Sequence, residues 1–546
     1  MLEIVLFVFN LLLVILFDLY ILQLESYSVK GFLKNNSIIC FRFVVCFIFC
    51  FLGGGAFSFF KVKNIYILSV FFILIFCFLN LHKFKYLFRL KIRFTHRMIR
   101  IVCLIILFHF LFFCSWSYLN INSVFFDSLF MYLFNYLSLI FVVGFLYPLE
   151  LCIGKYYLRK GKLKLNKSNL KYRIGITGSF GKTSTKEILN TLLSEKFVTL
   201  STPKSYNTPF GISKTINNFL TTKNSVFICE MGAKKKGEIK FLSEYVNVDC
   251  GIVTSVGRQH LSSFGNIEGV YKTKRELPEF LNGKFCVFNL QNYYVHKMYN
   301  EYCGDKVGVF LLEVRNYHLS DMILKKKIFF KINKILKNKF YEYKKEGNVY
   351  AKNIKCFDDG SVFDVWYGNS FLGNVKILLL GCHNIINVLL SVAMAKYVGL
   401  SDNEIKIGLS KLKPIKARFE KFTLNNGATI INNGYNSNID TISSSFKALD
   451  LFVQKNKYII TPGLIETSDD YLYNFEMGKL ISKYFDYVVI VKEKNKKALS
   501  DGLLNGGFSL NKIFYTKSFD EAKLFLSKCS KDDVVLIEND LPDNFK

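Results

Sequence analysis

A glycine-rich turn between a short apolar strand and a helix is the first feature of this chain that could do chemistry. Residues 178–183 read Gly-Ser-Phe-Gly-Lys-Thr and directly follow the predicted strand Tyr172–Thr177. Glycines let a backbone approach phosphate oxygens, and free N–H groups at the start of a helix bind anions. Lys182 would neutralise phosphate charge, and Thr183 would be a ligand for Mg²⁺. Because Ile176 stands where the common G-x-x-x-x-G-K-[ST] pattern has its first glycine, a turn with an incidental lysine stays an alternative.

Three further residues have the chemistry of a metal site, but each is a weak signal by itself. Glu230 ends an apolar strand, where a carboxylate could hold Mg²⁺ beside nucleotide phosphates. His260 follows another predicted strand, although a lone histidine is more often structural. Lys274 lies in Lys-Thr-Lys-Arg-Glu-Leu, which has the composition of a solvated helix face. None of the three decides a function alone.

The elements that must position these residues alternate between short apolar strands and helices after Tyr172. Such alternation predicts mostly parallel sheets covered by helices. The predicted fold is an N-terminal multi-span α-helical membrane region followed by an α/β central domain with the phosphate turn and a Rossmann-like α/β C-terminal domain. The predicted boundaries are 1–150 for about five membrane helices, 151–171 for a basic cytoplasmic linker, 172–420 for the central domain with an insertion at about 305–375, and 421–546 for the C-terminal domain.

Five apolar runs in the first 150 residues are each long enough to cross a bilayer core as a helix, which takes about 20 residues. They are Met1–Leu24, Ser37–Phe60, Asn64–Leu81, Met98–Leu119 and Val124–Leu149. Basic residues cluster between the third and fourth runs and again after the fifth, so the positive-inside rule places both segments in the cytoplasm and the N-terminus outside. The sequence therefore predicts a multi-pass protein of the cytoplasmic membrane, with membrane lipid as a partner and the catalytic domains in the cytoplasm. Buried helices of a soluble core are the alternative.

Composition excludes several classes of protein. Hydrophobic residues make up 51% of the chain, which excludes a disordered protein. The formal net charge is +30, but the basic residues are diffuse and no recognition motif accompanies them, so no nucleic acid partner is expected. The charge could attract anionic lipid or an anionic substrate, or could follow from a Lys-rich and Asn-rich genome. The 14 scattered cysteines include no Cys-x-x-Cys pair and predict reduced thiols, buried or facing lipid.

Taken together and in order, the motifs resemble the Mur ligases, the ATP-dependent amino acid and peptide ligases of peptidoglycan precursor synthesis. The resemblance covers the chain from about Tyr172 to the C-terminus, and it is greatest to a membrane-anchored form of the D-alanyl-D-alanine-adding branch. The matching segments are Gly175–Thr183, Ser205–Pro209 with Gly211, Glu230–Ala233 with Gly237–Ile239, Gln259–Leu261 with Phe264 and Gly265, Lys274–Leu277, Gly381–Asn384 with Asn387, Arg418, and Tyr435–Asn438. Any one segment could arise by chance, but the ordered set is specific.

The resemblance implies a role for each matching residue. The implied ATP-binding residues are Gly178, Ser179, Gly181, Lys182, Thr183, Ser184, Asn384, Asn387, Arg418 and Asn433. The implied ligands of two Mg²⁺ ions are Thr183, Glu230, His260 and Lys274, the last as a carbamylated lysine, and the implied catalytic residues are Lys182, Glu230, His260 and Lys274. The implied substrate-binding residues are Asn207, Thr208, Tyr435, Asn436 and Asn438.

The resemblance also implies a reaction. A carboxylate of a UDP-MurNAc-tripeptide would attack the γ-phosphate of ATP to give an acyl phosphate and ADP, and the amine of D-Ala-D-Ala would then displace phosphate. Two metal ions and Lys182 would stabilise charge on the transferring phosphoryl group. Other cell-wall synthesis enzymes would be further partners.

Departures from the family pattern leave the substrate open. Asn432 and Asn433 stand where the family carries acidic residues, which removes charge near the nucleotide. The apolar runs stand in place of the domain that holds the UDP-sugar, so a membrane-anchored paralogue acting on a lipid-linked or other cell-envelope carboxylate is the alternative ligase. Glu538 and Asp540 are weak candidates for substrate contact, with a charged surface turn as the alternative.

Two alternatives lie outside the ligases. One is an ATP-coupled transporter, but the apolar runs hold few ionisable residues, which argues against a transport path. The other is a non-catalytic scaffold, and the joint presence of the phosphate and metal motifs argues against it.

Overall fold

The computed structural model describes residues 94–118, 124–259, 261–312, 347–434, 439–452, 456–465, 467 and 469–539, together with 15–16, 18–23, 27, 29 and 32. The chain divides into two compact units, and the boundary between them in the sequence falls between Tyr156 and Tyr157. Each unit is described separately below.

The first unit contains helix α1 (His96–Tyr118) and most of helix α2 (Val124–Asn166). Met98, Ile101 and Ile105 of α1 belong to the same apolar core as Leu139 and Val142 of α2. At the polar end of this core, Arg100 Nε donates to Glu150 Oε1 at 2.9 Å. The fourth and fifth predicted runs are therefore helical, and the two helices pack together.

One helix within the described residues, Leu137–Asn166, is long and apolar enough to cross a membrane. The second and third predicted runs lie outside the described residues, and the first is described only at 15–16 and 18–23. Of the five predicted membrane spans, the described residues therefore support one. Residues 151–166, predicted as part of a linker, instead continue α2 to Asn166, because their Leu, Lys, Arg and Tyr residues sustain a helix without a proline.

The second unit holds two α/β domains. The elements of the central domain are β1 (Tyr172–Thr177), α3 (Lys182–Leu193), β2 (Thr199–Ser201), α4 (Pro209–Phe219), β3 (Val226–Met231), α5 (Glu238–Val246), β4 (Cys250–Val253), α6 (Leu261–Phe264), α7 (Ile267–Leu281), β5 (Cys286–Asn289), α8 (Tyr293–Glu301), β6 (Lys306–Leu311), β7 (Val349–Phe357), β8 (Gly360–Tyr367), β9 (Ser370–Ile377), α9 (Cys382–Tyr397) and α10 (Asp402–Ser410).

These strands form one sheet with the order β2-β3-β1-β4-β5-β6-β7-β8-β9. The pairs from β2 to β7 are parallel, and β7, β8 and β9 are joined as an antiparallel meander. The described part of the segment predicted as an insertion thus extends the central sheet. Buried strand residues such as Ile174 pack on α3 and α9 on one face, and residues such as Phe227 pack on α4, α5 and α7 on the other.

The C-terminal domain contains β10 (Glu420–Thr423), β11 (Thr429–Asn433), α11 (Ile439–Ala448), β12 (Asn456–Thr461), α12 (Asp470–Tyr484), β13 (Tyr487–Val491), α13 (Lys496–Asn505), β14 (Ile513–Thr516), α14 (Phe519–Leu526) and β15 (Asp533–Glu538). Its strand order is β10-β11-β15-β12-β13-β14, and all pairs except β10–β11 are parallel. The predicted α/β class is confirmed for both domains.

Candidate active site

The phosphate turn leaves the carboxyl end of β1, between its sheet neighbours β3 and β4. Gly181 precedes the first residue of α3 and has a φ of 84°, in the left-handed region that favours glycine. A Cβ at Gly181 would lie 2.8 Å from Asn387 Oδ1, and a Cβ at Gly178 would lie 2.0 Å from Thr254 Oγ1. The two glycines are therefore required by both conformation and space.

Two hydroxyl residues after β4 fix the shape of the turn. Thr254 Oγ1 donates to Phe180 O at 2.6 Å, and Ser255 Oγ accepts a hydrogen bond from Phe180 N at 2.8 Å. Ser179 N also donates to Ser255 O at 2.8 Å. Sequence reasoning missed Thr254 and Ser255, since nothing in their local sequence marks a contact with a turn more than 70 residues earlier.

Lys182 folds over the turn that precedes it. Its ammonium group donates to Gly178 O at 2.6 Å and to Ser179 O at 3.0 Å. Burial lowers the pKa of Lys182 to about 8, with nearby Glu230 opposing this shift and Arg418 adding to it. A phosphate group bound in the turn would stabilise the charged form of Lys182.

Arg418 reaches the turn from the far end of the central domain. Its Nη2 donates to Thr183 Oγ1 at 3.2 Å. Its neighbours Ala417 and Phe419 both have positive φ angles, of 56° and 58°. The chain thus adopts an unfavourable backbone on each side of Arg418, which directs this residue to the phosphate turn.

Glu230 is the second-last residue of β3 and is buried, with 1% of its surface exposed. Its Oε1 accepts a hydrogen bond from Asn207 Nδ2 at 3.0 Å. Its Oε2 has no hydrogen-bond partner among the described residues and lies 3.5 Å from Lys186 Nζ. A buried carboxylate oxygen in this state fits a metal ligand.

Lys186 is a buried residue of the site that sequence reasoning missed. Its ammonium group donates to Thr202 O at 2.7 Å and to Lys204 O at 2.6 Å, and its side chain is fully buried. It therefore connects α3 to the loop after β2 as well as to Glu230. The only available signal was its position one helical turn after Lys182.

Asn207 and Thr208, predicted to contact substrate, have local partners in this structure. Asn207 donates to Glu230, as described above. Thr208 is the N-cap of α4, and its Oγ1 accepts a hydrogen bond from Gly211 N at 3.3 Å, directly before Pro209 at the first helical position. This loop therefore connects Glu230 to the start of α4.

Lys274 lies in α7 and is buried, contrary to its appearance as part of a solvated helix face. Burial and, to a smaller extent, the charge of Lys182 lower its pKa to about 7, while Glu276 and Glu238 oppose the shift. Glu276 in turn accepts hydrogen bonds from Gly237 N at 2.6 Å and Lys240 N at 3.0 Å, so it caps α5 and fixes α7. A lysine with this pKa is a neutral amine in about half of the molecules at neutral pH.

Asn384 and Asn387 lie in the first turns of α9 and are held by each other. Asn387 Nδ2 donates to Asn384 Oδ1 at 3.1 Å, and Thr185 Oγ1 donates to Asn387 Oδ1 at 3.2 Å. Asn387 and its neighbour His383 line a cleft whose walls come from both domains of the second unit. Its other lining residues include Phe180, Gly181, Ser184, Thr254, Asn289, Asn292, Cys382, Arg418, Asn433, Asp440 and Ser445.

The C-terminal side of the cleft is joined to the central domain by Asp440. Its Oδ2 accepts a hydrogen bond from Arg258 N at 2.6 Å. Burial raises the pKa of Asp440, and the hydrogen bond from Arg258 and its positive charge oppose the shift. This contact therefore joins α11 to the segment that follows β4.

Asn433, which also lines the cleft, is paired with Glu538. Its Nδ2 lies 3.1 Å from Oε1 and 3.0 Å from Oε2 of Glu538, at the carboxyl ends of the neighbouring strands β11 and β15. Glu538 is fully buried, so a charged surface turn is the wrong interpretation at this residue. Asp540, together with the site candidates His260, Tyr435, Asn436 and Asn438, lies outside the described residues.

The described residues fit a hard divalent cation. Mg²⁺ prefers oxygen ligands, and the site offers the Thr183 hydroxyl and the open Oε2 of buried Glu230. Glu230 lies near the carboxyl end of β3, and Thr183 lies in the first turn of α3, which follows the neighbouring strand β1. The fold and the site thus define a nucleotide-binding α/β enzyme with a phosphate turn and a carboxylate beside it.

Comparison with known proteins agrees with this class. Residues 176–395 match the family model described as the Mur ligase middle domain, so the chain carries that domain. The predicted resemblance to the Mur ligases is thereby confirmed for these residues.

The curated relatives are named as MurF ligases. The UDP-N-acetylmuramoyl-tripeptide--D-alanyl-D-alanine ligase of Buchnera aphidicola subsp. Baizongia pistaciae is 28% identical over 311 residues, which are 56% of this chain and 60% of the relative. The enzyme of the same name from Bacillus subtilis is 24% identical over 369 residues, 67% of this chain and 72% of the relative. The chain thus spans less than two thirds of the Buchnera relative.

Solved structures share the fold. MurF from Acinetobacter baumannii superposes with a TM-score of 0.57 at 20% identity, covering 71% of this chain and 78% of its own. MurF ligase from Thermotoga maritima in complex with ADP has a TM-score of 0.57 at 21% identity, covering 71% of this chain and 80% of its own.

Proposed function

We propose that this chain is an ATP-dependent ligase that joins D-Ala-D-Ala to the tripeptide of UDP-MurNAc-tripeptide. The observation that carries the proposal is Glu230, a buried carboxylate whose Oε2 accepts no hydrogen bond from the described residues. It lies one strand away from a turn that only glycine can form. The Mur ligase middle domain and the two relatives named as MurF ligases support the same reaction.

The residues of the turn would bind and orient the nucleotide. Backbone N–H groups at the start of α3 would bind phosphate oxygens, and Lys182 would turn from the carbonyls of the turn to the phosphates. Arg418 would add a second cation beside Thr183. His383 and Asn387 would lie at the base and ribose side, because they line the cleft. Asn384 would act by holding Asn387, whose Nδ2 donates to Asn384 Oδ1.

Glu230, Thr183, His260 and Lys274 as a carbamate would hold Mg²⁺. When bound, the metal supplies positive charge to the transferring phosphoryl group. Asn207 and Lys186 would keep the Glu230 carboxylate fixed and ionised, since they contact its two oxygens.

Lys274 has the chemistry needed for carbamylation. Its lowered pKa leaves about half of the amine neutral at pH 7. The lone pair of the neutral amine attacks carbon dioxide to form an N–C bond, and one proton leaves to solvent. The product is a carboxylate in place of a cation. Lys274→Ala should lose ligation, and added short carboxylic acids should restore part of it, while Lys272→Ala at the exposed neighbouring position should behave as wild type.

Carbamylation has a readout that does not depend on turnover. Protein equilibrated with ¹³C-labelled bicarbonate should show one carbamate carbon signal that Lys274→Ala lacks. A signal that persists in the variant, or normal turnover by it, would remove the assignment.

The reaction itself is tested by phosphate release with ATP and Mg²⁺ on addition of UDP-MurNAc-tripeptide and D-Ala-D-Ala. Release should require both substrates, and the pentapeptide product should appear by mass. Protein that binds ATP but releases no phosphate with these substrates would contradict the proposal.

A lipid-linked or other cell-envelope carboxylate acceptor is the second candidate. Helix α2 favours it, because the helix continues from its apolar part through a basic segment to Asn166, six residues before β1. We also infer that this helix and the other four apolar runs anchor the protein in the cytoplasmic membrane with its catalytic domains inside. Replacing the soluble acceptor with a lipid-linked one in the same assay separates the two candidates, and extraction of the full chain from membranes by carbonate would contradict the anchor.

A further inference from the structure

Two cysteines that are far apart in the sequence meet beside the nucleotide cleft. Cys356 lies in β7 and Cys382 is the first residue of α9, and their sulfur atoms are 2.7 Å apart. Neither is in a disulfide, and both are half-buried. A disulfide bond is about 2.0 Å long, so bond formation requires the two sulfurs to approach by about 0.7 Å.

The two thiols have the surroundings of reactive cysteines. Cys382 stands at a helix N-terminus, where free N–H groups and the helix dipole favour a thiolate. A hydrogen bond from Cys382 lowers the pKa of Cys356 to about 7, against the opposing effect of burial. By contrast, burial raises the pKa of Cys229, Cys250 and Cys286.

Cys382 also belongs to the lining of the cleft, next to His383 and within the same helical turn as Asn384. A nucleotide bound between the phosphate turn and α9 would cover this sulfur. Neither Cys356 nor Cys382 has a role in the proposed ligation.

We propose that Cys356 and Cys382 form a redox-modification site at the nucleotide cleft, which a hydroperoxide oxidises to a disulfide. The Cys356 thiolate attacks the distal oxygen of the peroxide, which breaks the O–O bond and gives a sulfenic acid and water once the leaving oxygen is protonated. The Cys382 thiolate then attacks that sulfur, and hydroxide leaves as a second water. Two thiols and one hydrogen peroxide thus give one disulfide and two waters, and a dithiol reductant reverses the change.

The test uses the full reduced chain in detergent, treated with hydrogen peroxide, then alkylated, digested without reduction and analysed by mass. A peptide pair joining Cys356 to Cys382, two hydrogens lighter than its reduced parts, should appear. These two thiols should be lost severalfold faster than exposed Cys303, because Cys382 stands at a helix N-terminus and each thiol can trap a sulfenic acid formed on the other as a disulfide. Loss of Cys303 at the same rate, or absence of the joined peptide, would overturn the proposal.

Cys356→Ser is the informative variant, since its side chain lies in β7 outside the cleft lining. It should bind ADP as the reduced wild type does, form no joined peptide, and leave Cys382 open to alkylation under peroxide. A joined peptide from Cys382 to another cysteine in this variant would overturn the specific pairing.

ADP tests the location. Saturating ADP should slow formation of the disulfide severalfold, and an unchanged rate in protein that binds ADP would overturn the placement of Cys382 in the nucleotide cleft. Protein that forms the disulfide but binds no ADP would count against the proposed ligase function and not against the dithiol chemistry.

Discussion

Lys186 Nζ lies 3.5 Å from Glu230 Oε2, and both side chains are buried, with 0% and 1% of their surface exposed. The same ammonium group donates to the carbonyls of Thr202 and Lys204. A buried charge is tolerated when it is paired and hydrogen-bonded, and removal of one partner leaves the other uncompensated. Lys186 is therefore a positioning residue, which holds the open oxygen of Glu230 at the edge of the phosphate turn.

Substitution of Lys186 should cost more than substitution of any exposed lysine. Lys186→Met keeps a side chain of similar length but removes the positive charge that pairs with Glu230. This should lower the free energy of unfolding by about 3–5 kcal/mol. Urea unfolding followed by the fluorescence of Trp366, which lies in β8 of the central sheet, measures it. Lys223→Met, at an exposed position, is the control.

The double variant Lys186→Met with Glu230→Gln separates charge from packing. Because it removes both members of the pair, it should recover part of the lost stability while nucleotide-dependent metal binding stays impaired. A double variant as unstable as the sum of the single variants would mean that Lys186 acts through the loop carbonyls alone.

Gly181 and Gly237 form a matched pair for testing the phosphate turn. Both have positive φ angles, of 84° and 92°, but a Cβ at Gly181 would lie 2.8 Å from Asn387 Oδ1 whereas a Cβ at Gly237 would contact nothing within 4 Å. Alanine at either position should cost about 1–2 kcal/mol of backbone strain. Only Gly181→Ala should also reduce ADP affinity, by about tenfold or more, or 1.4 kcal/mol.

Calorimetric titration with ADP measures the difference between these glycine variants. An equal affinity for ADP in both would show that the space beside Asn387 is not needed for the nucleotide.

The sequence predicted the elements that carry periodic patterns. Strand Tyr172–Thr177 has the predicted boundaries, because it is a short apolar run that ends at a glycine-rich turn. Helix α2 was harder, since the change from apolar to basic residues after Leu149 looks like a domain boundary although the backbone stays helical. Charge marks where a helix leaves an apolar environment and does not mark where the helix ends.

The sequence predicted the residues of the site only where they belong to a recognisable motif. Gly178, Gly181 and Lys182 follow one another in the chain, so their joint role was visible. Lys186 and the Cys356–Cys382 pair depend on contacts between distant elements, and a lysine in a helix or an isolated cysteine has no signal of its own. Several of the predicted contacts, including those of His260, lie outside the described residues and stay predictions.

Substitutions of Asn433 and Asn432 test whether the contact with Glu538 explains why this segment carries asparagines and not acidic residues. Asn433 Nδ2 contacts both oxygens of the buried Glu538 carboxylate, whereas Asn432 Oδ1 accepts a hydrogen bond from Gly434 N at 3.0 Å. Asn433→Asp places two carboxylates about 3 Å apart, and like charges at that distance cannot both ionise at low cost. Asn432→Asp keeps its acceptor and should be tolerated.

The expected result is lower stability and weaker ADP binding for Asn433→Asp, with both properties partly restored at acidic pH, where the pair shares a proton. The measurement is urea unfolding and ADP titration of both variants at two pH values. Equal behaviour of the two variants would show that Glu538 does not decide which residue stands at 433.

His383 should make the stability of the second unit depend on pH below neutrality. Burial lowers the pKa of His383 to about 4 from an ordinary value of 6.5. Well above pH 6.5 the ring is neutral in both the folded and the unfolded chain, so it adds no pH dependence. As the pH falls from 6.5 towards 4, the unfolded chain binds a proton that the folded chain does not, and the free energy of unfolding decreases.

Replacement by Phe tests this dependence, because it keeps an aromatic ring for the edge-to-face contact with Phe419, whose centroid lies 5.7 Å away. At pH 7.5 the difference between His383→Phe and wild type reports packing alone. Between pH 6.5 and 4 the wild type should lose stability more steeply, with a slope difference below the single-proton limit of about 1.4 kcal/mol per pH unit. Parallel curves over that range would mean that His383 gains its proton in the folded state as readily as in the unfolded chain, and that the cleft is open to water at α9.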